Sequence, residues 1–287
     1  MADKVRLGLI QLCGCSGCHI SLLDLHEQLL DVLPNLEIVY APIIADAKEI
    51  PECDVFLIEG GARNEHDEHL IHEIREKSKV VIAWGTCAVY GGIPGLGNLY
   101  DTEQLKKTAY ETESTDNIGE LPSDEIVPPL TNSVMPVPSI VDVEYVIPGC
   151  PPRPEINAGA IVALLEGRDP ELPKKIVCDE CPRTKENVIP ETFKRTFEGT
   201  PDPEKCLFEQ GYTCVGMGTR AGCGALCPSA GVPCRGCYGK TDEVLDQGSS
   251  LANTFAAAGD EALKISDKSA LFNRFTLPAA LISKKQE

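Results

Sequence analysis

The sequence predicts an α/β protein: a parallel-sheet domain over residues 1–173, followed by a smaller, mostly irregular domain over 174–287. Three observations predict it. Short apolar, β-rich runs alternate with helical stretches up to about residue 166, which implies right-handed crossovers and a parallel sheet covered on both faces. After about Pro173 that rhythm stops, and glycine, proline and cysteine dominate through Gly239. Eight of the 14 cysteines in the 287 residues fall between Cys178 and Cys237, so the second region is organised around thiols.

Taken in order, the first apolar run spans residues 5–12 and leads into Cys13-Gly14-Cys15-Ser16-Gly17-Cys18. A helix is expected from about His19 to Leu33, capped by Ser16 or Ser21. The second run, 36–41, stops at Pro42; the third, 55–59, ends in Gly60-Gly61 and precedes a polar helix near 65–77. The fourth, 80–84, ends in Gly85-Thr86-Cys87, and the fifth, 143–147, in Pro148-Gly149-Cys150-Pro151-Pro152, with a helix near 155–166 behind it. Residues 100–139 break the pattern with acids, prolines, serines and threonines and read as a long insertion ordered by packing on other elements. The stretch after Pro173 carries too little apolar periodicity to fold unaided, so metal is expected to supply the missing stabilisation. From Leu251 the tail is helical at first and then irregular.

Composition narrows the function. The net charge of −18 argues against nucleic acid, which demands clustered Lys and Arg; it fits a solvated acidic surface or docking on basic partners. No apolar run approaches the roughly 20 residues that span a bilayer. The start lacks a basic-then-apolar export pattern and a twin arginine, so a cytoplasmic location is expected. Thiols in such a compartment stay reduced and serve metals more often than disulfides.

Cys15, Cys18, Cys87 and Cys150 lie far apart in sequence, yet each follows the carboxyl end of an expected strand. In an open parallel sheet those ends form the ligand crevice, and four thiolates at one rim suit a 4Fe-4S cluster. Gly17, Gly85 and Gly149 beside them permit tight turns and close backbone approach. In the second region, C-x-x-C pairs at Cys178/Cys181 and Cys234/Cys237, with Cys206, Cys214, Cys223 and Cys227 between, read as further iron–sulfur ligands; structural zinc is the competing use of such pairs. Cys53 opens an apolar strand as a core or loop thiol, and Cys13 is an unassigned neighbour of the first quartet.

Cys15-Ser-Gly-Cys18, Gly85-Thr-Cys87-Ala-Val-Tyr-Gly-Gly92 and Pro148-Gly-Cys150-Pro-Pro152 together resemble the small subunit of nickel–iron hydrogenases. The resemblance covers most of the chain, apart from residues 100–139 and the tail. It implies a flavodoxin-like first domain whose cluster, on Cys15, Cys18, Cys87 and Cys150, is the proximal one, nearest a nickel–iron centre in a separate large subunit. It further implies a distal cluster on Cys178, Cys181, Cys206 and Cys214, with cysteine where many relatives have histidine. A medial cluster is implied on Cys223, Cys234 and Cys237 within Gly-Val-Pro-Cys-Arg-Gly-Cys. Many relatives have proline where this chain has Cys227; a fourth thiolate there predicts a 4Fe-4S medial cluster. The implied cofactors are three 4Fe-4S clusters, the catalytic residues none.

The subgroup resembled most is the deazaflavin-non-reducing (methyl-viologen-reducing) hydrogenases of methanogenic archaea. That implies a place in methanogenesis, with electrons passing from hydrogen oxidation to an iron–sulfur adaptor subunit and heterodisulfide reductase in an obligate hetero-oligomer. Two rivals are a complex-I-like quinone-coupled subunit, against which the second cysteine-rich region argues, and a zinc-stabilised non-redox scaffold. Gly14 stands where many relatives carry a glutamate thought to move protons, so no proton relay is assigned. His66, His69 and His72 share a helical spacing crowded with acids and read as a solvated face. The glycine-rich residues 91–97 lack the marks of a phosphate loop or a dinucleotide fingerprint, and no flavin is expected.

Overall fold

The computed structural model describes residues 4–44, 48–113, 119, 121 and 127–281. Among these the strands are β1 (Val5–Gln11), β2 (Leu36–Tyr40), β3 (Cys53–Glu59), β4 (Ala62–Asn64), β5 (Ser78–Trp84), β6 (Leu130–Met135) and β7 (Tyr145–Ile147). Five of them form one parallel sheet in the order β2-β1-β3-β5-β7, and register follows the apolar runs: Leu9 opposite Leu57, Ile58 opposite Ala83, Trp84 opposite Ile147. This is the flavodoxin-like order. It is followed by a smaller, mostly irregular region, so the α/β class holds.

Side-chain alternation along the strands divides the core into two layers. Ile10, Phe56, Ile58, Val81 and Ala83 face one side, where α3 (Glu65–Lys77) lays down Ile71 and Ile74. Leu7, Leu9, Val55, Leu57, Ile82 and Trp84 face the other, where α6 (Pro154–Leu165) lays down Ala160 and Ile161. Helix α3 starts where expected because Asn64 accepts the Asp67 N–H at 2.8 Å, an N-cap with acids in the first turn. His66, His69 and His72 lie on its exposed face.

The helix expected over residues 19–33 is broken. It divides into α1 (Gly17–Leu23), a 3₁₀ turn and α2 (Leu29–Val32), because His26 adopts φ +51°, which a continuing right-handed helix cannot accommodate. Ser16 occupies the N-cap position without a side-chain cap; its hydroxyl instead donates to Gln11. Behind β5 the short helix α4 (Gly85–Tyr90) turns the chain toward residues 100–139. There α5 (Thr102–Tyr110) is capped by Asp101, and β6 pairs antiparallel with β4. Residues 114–118, 120 and 122–126 of that expected insertion lie outside the described residues.

Beyond Pro173 regular structure is sparse: α7 (Val177–Glu180), α8 (Leu226–Ser229), α9 (Gln247–Ala256), α10 (Asp260–Leu263) and α11 (Lys268–Phe272). This half nevertheless has a core of its own. Leu251, Phe255, Ile265, Leu271 and Phe272 from the tail pack against Val177, Leu207, Tyr212 and Val215 of the cysteine loops. The tail thus supplies the apolar surface that the loops lack. Arg220, 2% exposed, ties the halves together by donating to Pro173 O and Lys240 O and pairing with Asp242.

Candidate iron–sulfur sites

Three strand ends build the first site. β1 runs out into the loop that holds Cys15 and Cys18, β5 into α4 with Cys87, and β7 into Cys150. The structure brings the four together: Cys15, Cys87 and Cys150 all act electrostatically on Cys18, and Cys15 and Cys150 on Cys87. Burial, with thiolate neighbours adding to it, pushes Cys87 up to about 12 and Cys18 and Cys150 upward as well. Without a cation these are neutral thiols. A cluster's iron supplies the positive charge that makes buried thiolates tenable. Two glycines make the approach possible. Gly85 sits at φ +82° with no room for a Cβ against Cys18 Sγ, and Gly92 at φ +56° packs on Cys87 Sγ.

Glu59 stands at this rim without having been foreseen. It ends the apolar run of β3, is 2% exposed, and its carboxylate accepts the Cys18 N–H at 3.4 Å, the His19 N–H at 3.3 Å and a bond from the His19 ring. The His19 ring in turn lies 5.0 Å from the Trp84 ring. A Cβ on Gly14 would stand 3.6 Å from Glu59 Oε1, so a carboxylate does occupy the space beside Gly14, supplied from β3 rather than from position 14. The sequence's one clue was an acid closing an otherwise buried strand.

Cys178, Cys181, Cys206 and Cys214 line one cavity of about 150 Å³, with Leu207, Phe208 and Met217. Burial raises Cys214 to about 11 even though the Gly216 and Cys234 N–H groups donate to it. Cys223, Cys227, Cys234 and Cys237 line a second cavity of about 290 Å³, together with Cys150. There burial lifts Cys237 to about 12 and Cys234 well above the ordinary thiol value. Sγ of Cys223 accepts from the Ala225 and Leu226 backbones, and Cys234 from the Gly236 backbone. Backbone N–H groups aimed at sulfur are what cluster-bound thiolates use. The donor sets are all-thiol, four to a site and hydrogen-bonded, and so fit such clusters.

The sites also adjoin. The Cys234 N–H donates to Cys214 Sγ at 3.3 Å. The Cys150 backbone hydrogen-bonds the Cys237 thiol, and Thr86 Oγ1 accepts from Gly149 N–H at 2.8 Å while donating to Cys237 O. The two remaining cysteines stay apart. Cys53 is buried at the start of β3, its Sγ 3.3 Å from Pro51 O, and Cys13 forms a bridge with Gly61 near Arg63 and Asp67. Among the described residues no three His, Cys, Asp or Glu side chains close on a single metal ion; a 4Fe-4S cube instead spreads its four thiolates over separate iron corners. A further cavity of about 430 Å³, mostly apolar and without a cysteine in its lining, lies between the sheet and α6.

A five-stranded parallel sheet with thiols at its carboxyl rim defines a class, and residues 15–164 match the family described as NADH ubiquinone oxidoreductase, 20 Kd subunit. The chain is 97% identical over 287 residues, the whole of both chains, to a vhu-type F420-non-reducing hydrogenase subunit of Methanococcus voltae. It is 72% identical over 282 residues, 98% of each chain, to the corresponding vhu-type subunit of Methanocaldococcus jannaschii. A solved NAD+-reducing [NiFe]-hydrogenase in the H2-reduced state is 34% identical, with a TM-score of 0.57, covering 60% of this chain and 96% of that one. The recombinant [NiFeSe] hydrogenase of Desulfovibrio vulgaris Hildenborough, 20% identical with a TM-score of 0.53 over 85% of this chain and 95% of that one, shares the fold. The chain belongs to that 20 Kd subunit family and, within it, to the small subunits of nickel–iron hydrogenases of the F420-non-reducing kind. Its role is electron transfer within a hydrogenase complex whose catalytic subunit is a separate chain.

Proposed function

We propose that this chain is the wire of a cytoplasmic nickel–iron hydrogenase, carrying electrons from hydrogen oxidation through three 4Fe-4S clusters. Cys15, Cys18, Cys87 and Cys150 hold the proximal cluster; Cys223, Cys227, Cys234 and Cys237 the medial; Cys178, Cys181, Cys206 and Cys214 the distal. When bound, the clusters supply one-electron chemistry, and the polypeptide sets burial, spacing and hydrogen bonding. Electrons leave at the distal end for an iron–sulfur adaptor subunit and heterodisulfide reductase. The observation that carries this reading is the run of contacts between quartets, Cys150 to Cys237 and Cys234 to Cys214, which supports the order proximal, medial, distal.

The complex-I-like alternative accounts for less of the molecule, because the matching family model ends at residue 164 and leaves eight grouped cysteines unexplained. The test is iron and acid-labile sulfide per chain in the anaerobically purified complex, with partner iron subtracted and zinc assayed alongside. Roughly twelve of each is expected, four per cluster. About four would leave the proximal site alone, and zinc without sulfide would end the redox account.

A further inference from the structure

The single helical turn α7 carries Cys178 and is closed by Cys181, and the residue between them that matters here is Glu180. Its two carboxylate oxygens accept the N–H groups of Gly222 and Gly224, each at 2.9 Å. Those amides flank Cys223 on either side. The surrounding backbone is already stitched together: Val177 N–H donates to Thr219 O and Ala221 N–H to Lys175 O, both at 2.9 Å. Glu180 prolongs that ladder with a side chain at the point where Gly222 (φ +113°) and Gly224 (φ +64°) swing the chain away. Cys223 is thereby clamped from both neighbours, with its Sγ left to the Ala225 and Leu226 amides.

We propose that Glu180 is a positioning residue that locks the medial ligand Cys223 onto the distal Cys178–Cys181 turn. Its carboxylate, a fixed negative charge beside Cys223, also holds down the medial reduction potential. This rests on the cluster reading above. A fixed anion opposes arrival of an electron by simple Coulomb repulsion, and a half-buried site screens that less than water does. Asp179 next to it provides a built-in comparison: it is exposed, and its carboxylate is used on the Ile176 N–H at 3.0 Å, away from Cys223.

The experiment is a redox titration of the holo complex followed by electron paramagnetic resonance, with iron counted first, for wild type, E180Q, E180D and D179N. E180Q is expected to keep its iron and to shift the electron share between medial and distal sites on the order of tenfold toward the medial, about 59 mV for one electron. D179N and E180D are expected to leave the medial midpoint where it was. E180Q with full iron and an unmoved medial midpoint overturns the inference, as does a D179N shift of the same size. Where E180Q does not assemble, E180D decides: assembly at the wild-type midpoint supports the inference, and equal failure overturns it. A wild-type complex short of its expected iron instead sinks the cluster reading itself.

Discussion

Burial lifts the Cys87 and Cys237 thiols to about 12, which sets a pH dependence for loading the sites. Each thiol keeps its proton well above the ordinary value near 9, so iron must displace protons to bind. Removing protons from solution therefore favours loading. Reconstitution of the depleted complex with ferrous iron and sulfide is expected to become more complete as pH rises from 7 toward 9, with protons released into the medium. Loading that is flat across that range would contradict the burial account. At this scale the sequence was informative: C-x-x-C spacing, strand ends and family motifs singled out the twelve cysteines proposed as ligands, and the structure gathers them in three groups. Glu59 and Glu180 were not, because an acid becomes notable only once the amides it serves are known to lie 41 and more than 40 residues away.

The joint between β5 and α4 shows how an element's geometry creates a site. Gly85 turns the chain at φ +82°, carries no side chain, and lets Cys18 Sγ close over it. Gly85→Ala introduces a Cβ into that sulfur and places a non-glycine residue in the left-handed region, which costs about 1–2 kcal/mol before the collision is counted. On the proposed assignment, the cluster at Cys15, Cys18, Cys87 and Cys150 is expected to be lost while the other two remain, seen as about four fewer irons and loss of one paramagnetic species. A variant with the full complement would refute the geometry. The five strands of the parallel sheet and α3 were readable from the sequence because short apolar runs and helical patterning are local; β4 and β6, which pair only with each other, were not. The break at His26 was not, since nothing in the residue itself announces φ +51°.

Over the whole molecule, the cysteine-rich half depends on a core that its own loops cannot build. Phe255, fully buried, meets Phe193, Phe208 and Phe272 with ring centroids 5.0–5.2 Å apart, and Phe208 also lines the distal cavity. Phe255→Ala is expected to cost about 3–5 kcal/mol, read as a lower thermal or denaturant midpoint, with the proposed cluster at Cys178, Cys181, Cys206 and Cys214 lost first. Unchanged stability with all clusters intact would show that metal alone holds this half together. That stronger dependence on metal is what the composition after Pro173 suggested. The tail corrects it, because Leu251 to Phe272 folds back beneath the loops, a long-range contact with no local signature.

By itself the sequence determined the parallel sheet, the cysteines that follow its strand ends and the family, since strand patterning and cysteine spacing are properties of short segments. Tertiary structure alone decided that Thr86 and Cys150 reach Cys237 and that Cys234 reaches Cys214. It also decided that Glu59 stands beside Gly14 and that the tail closes the second core. Each of these joins residues distant in the chain, and which distant groups meet depends on how every intervening element packs.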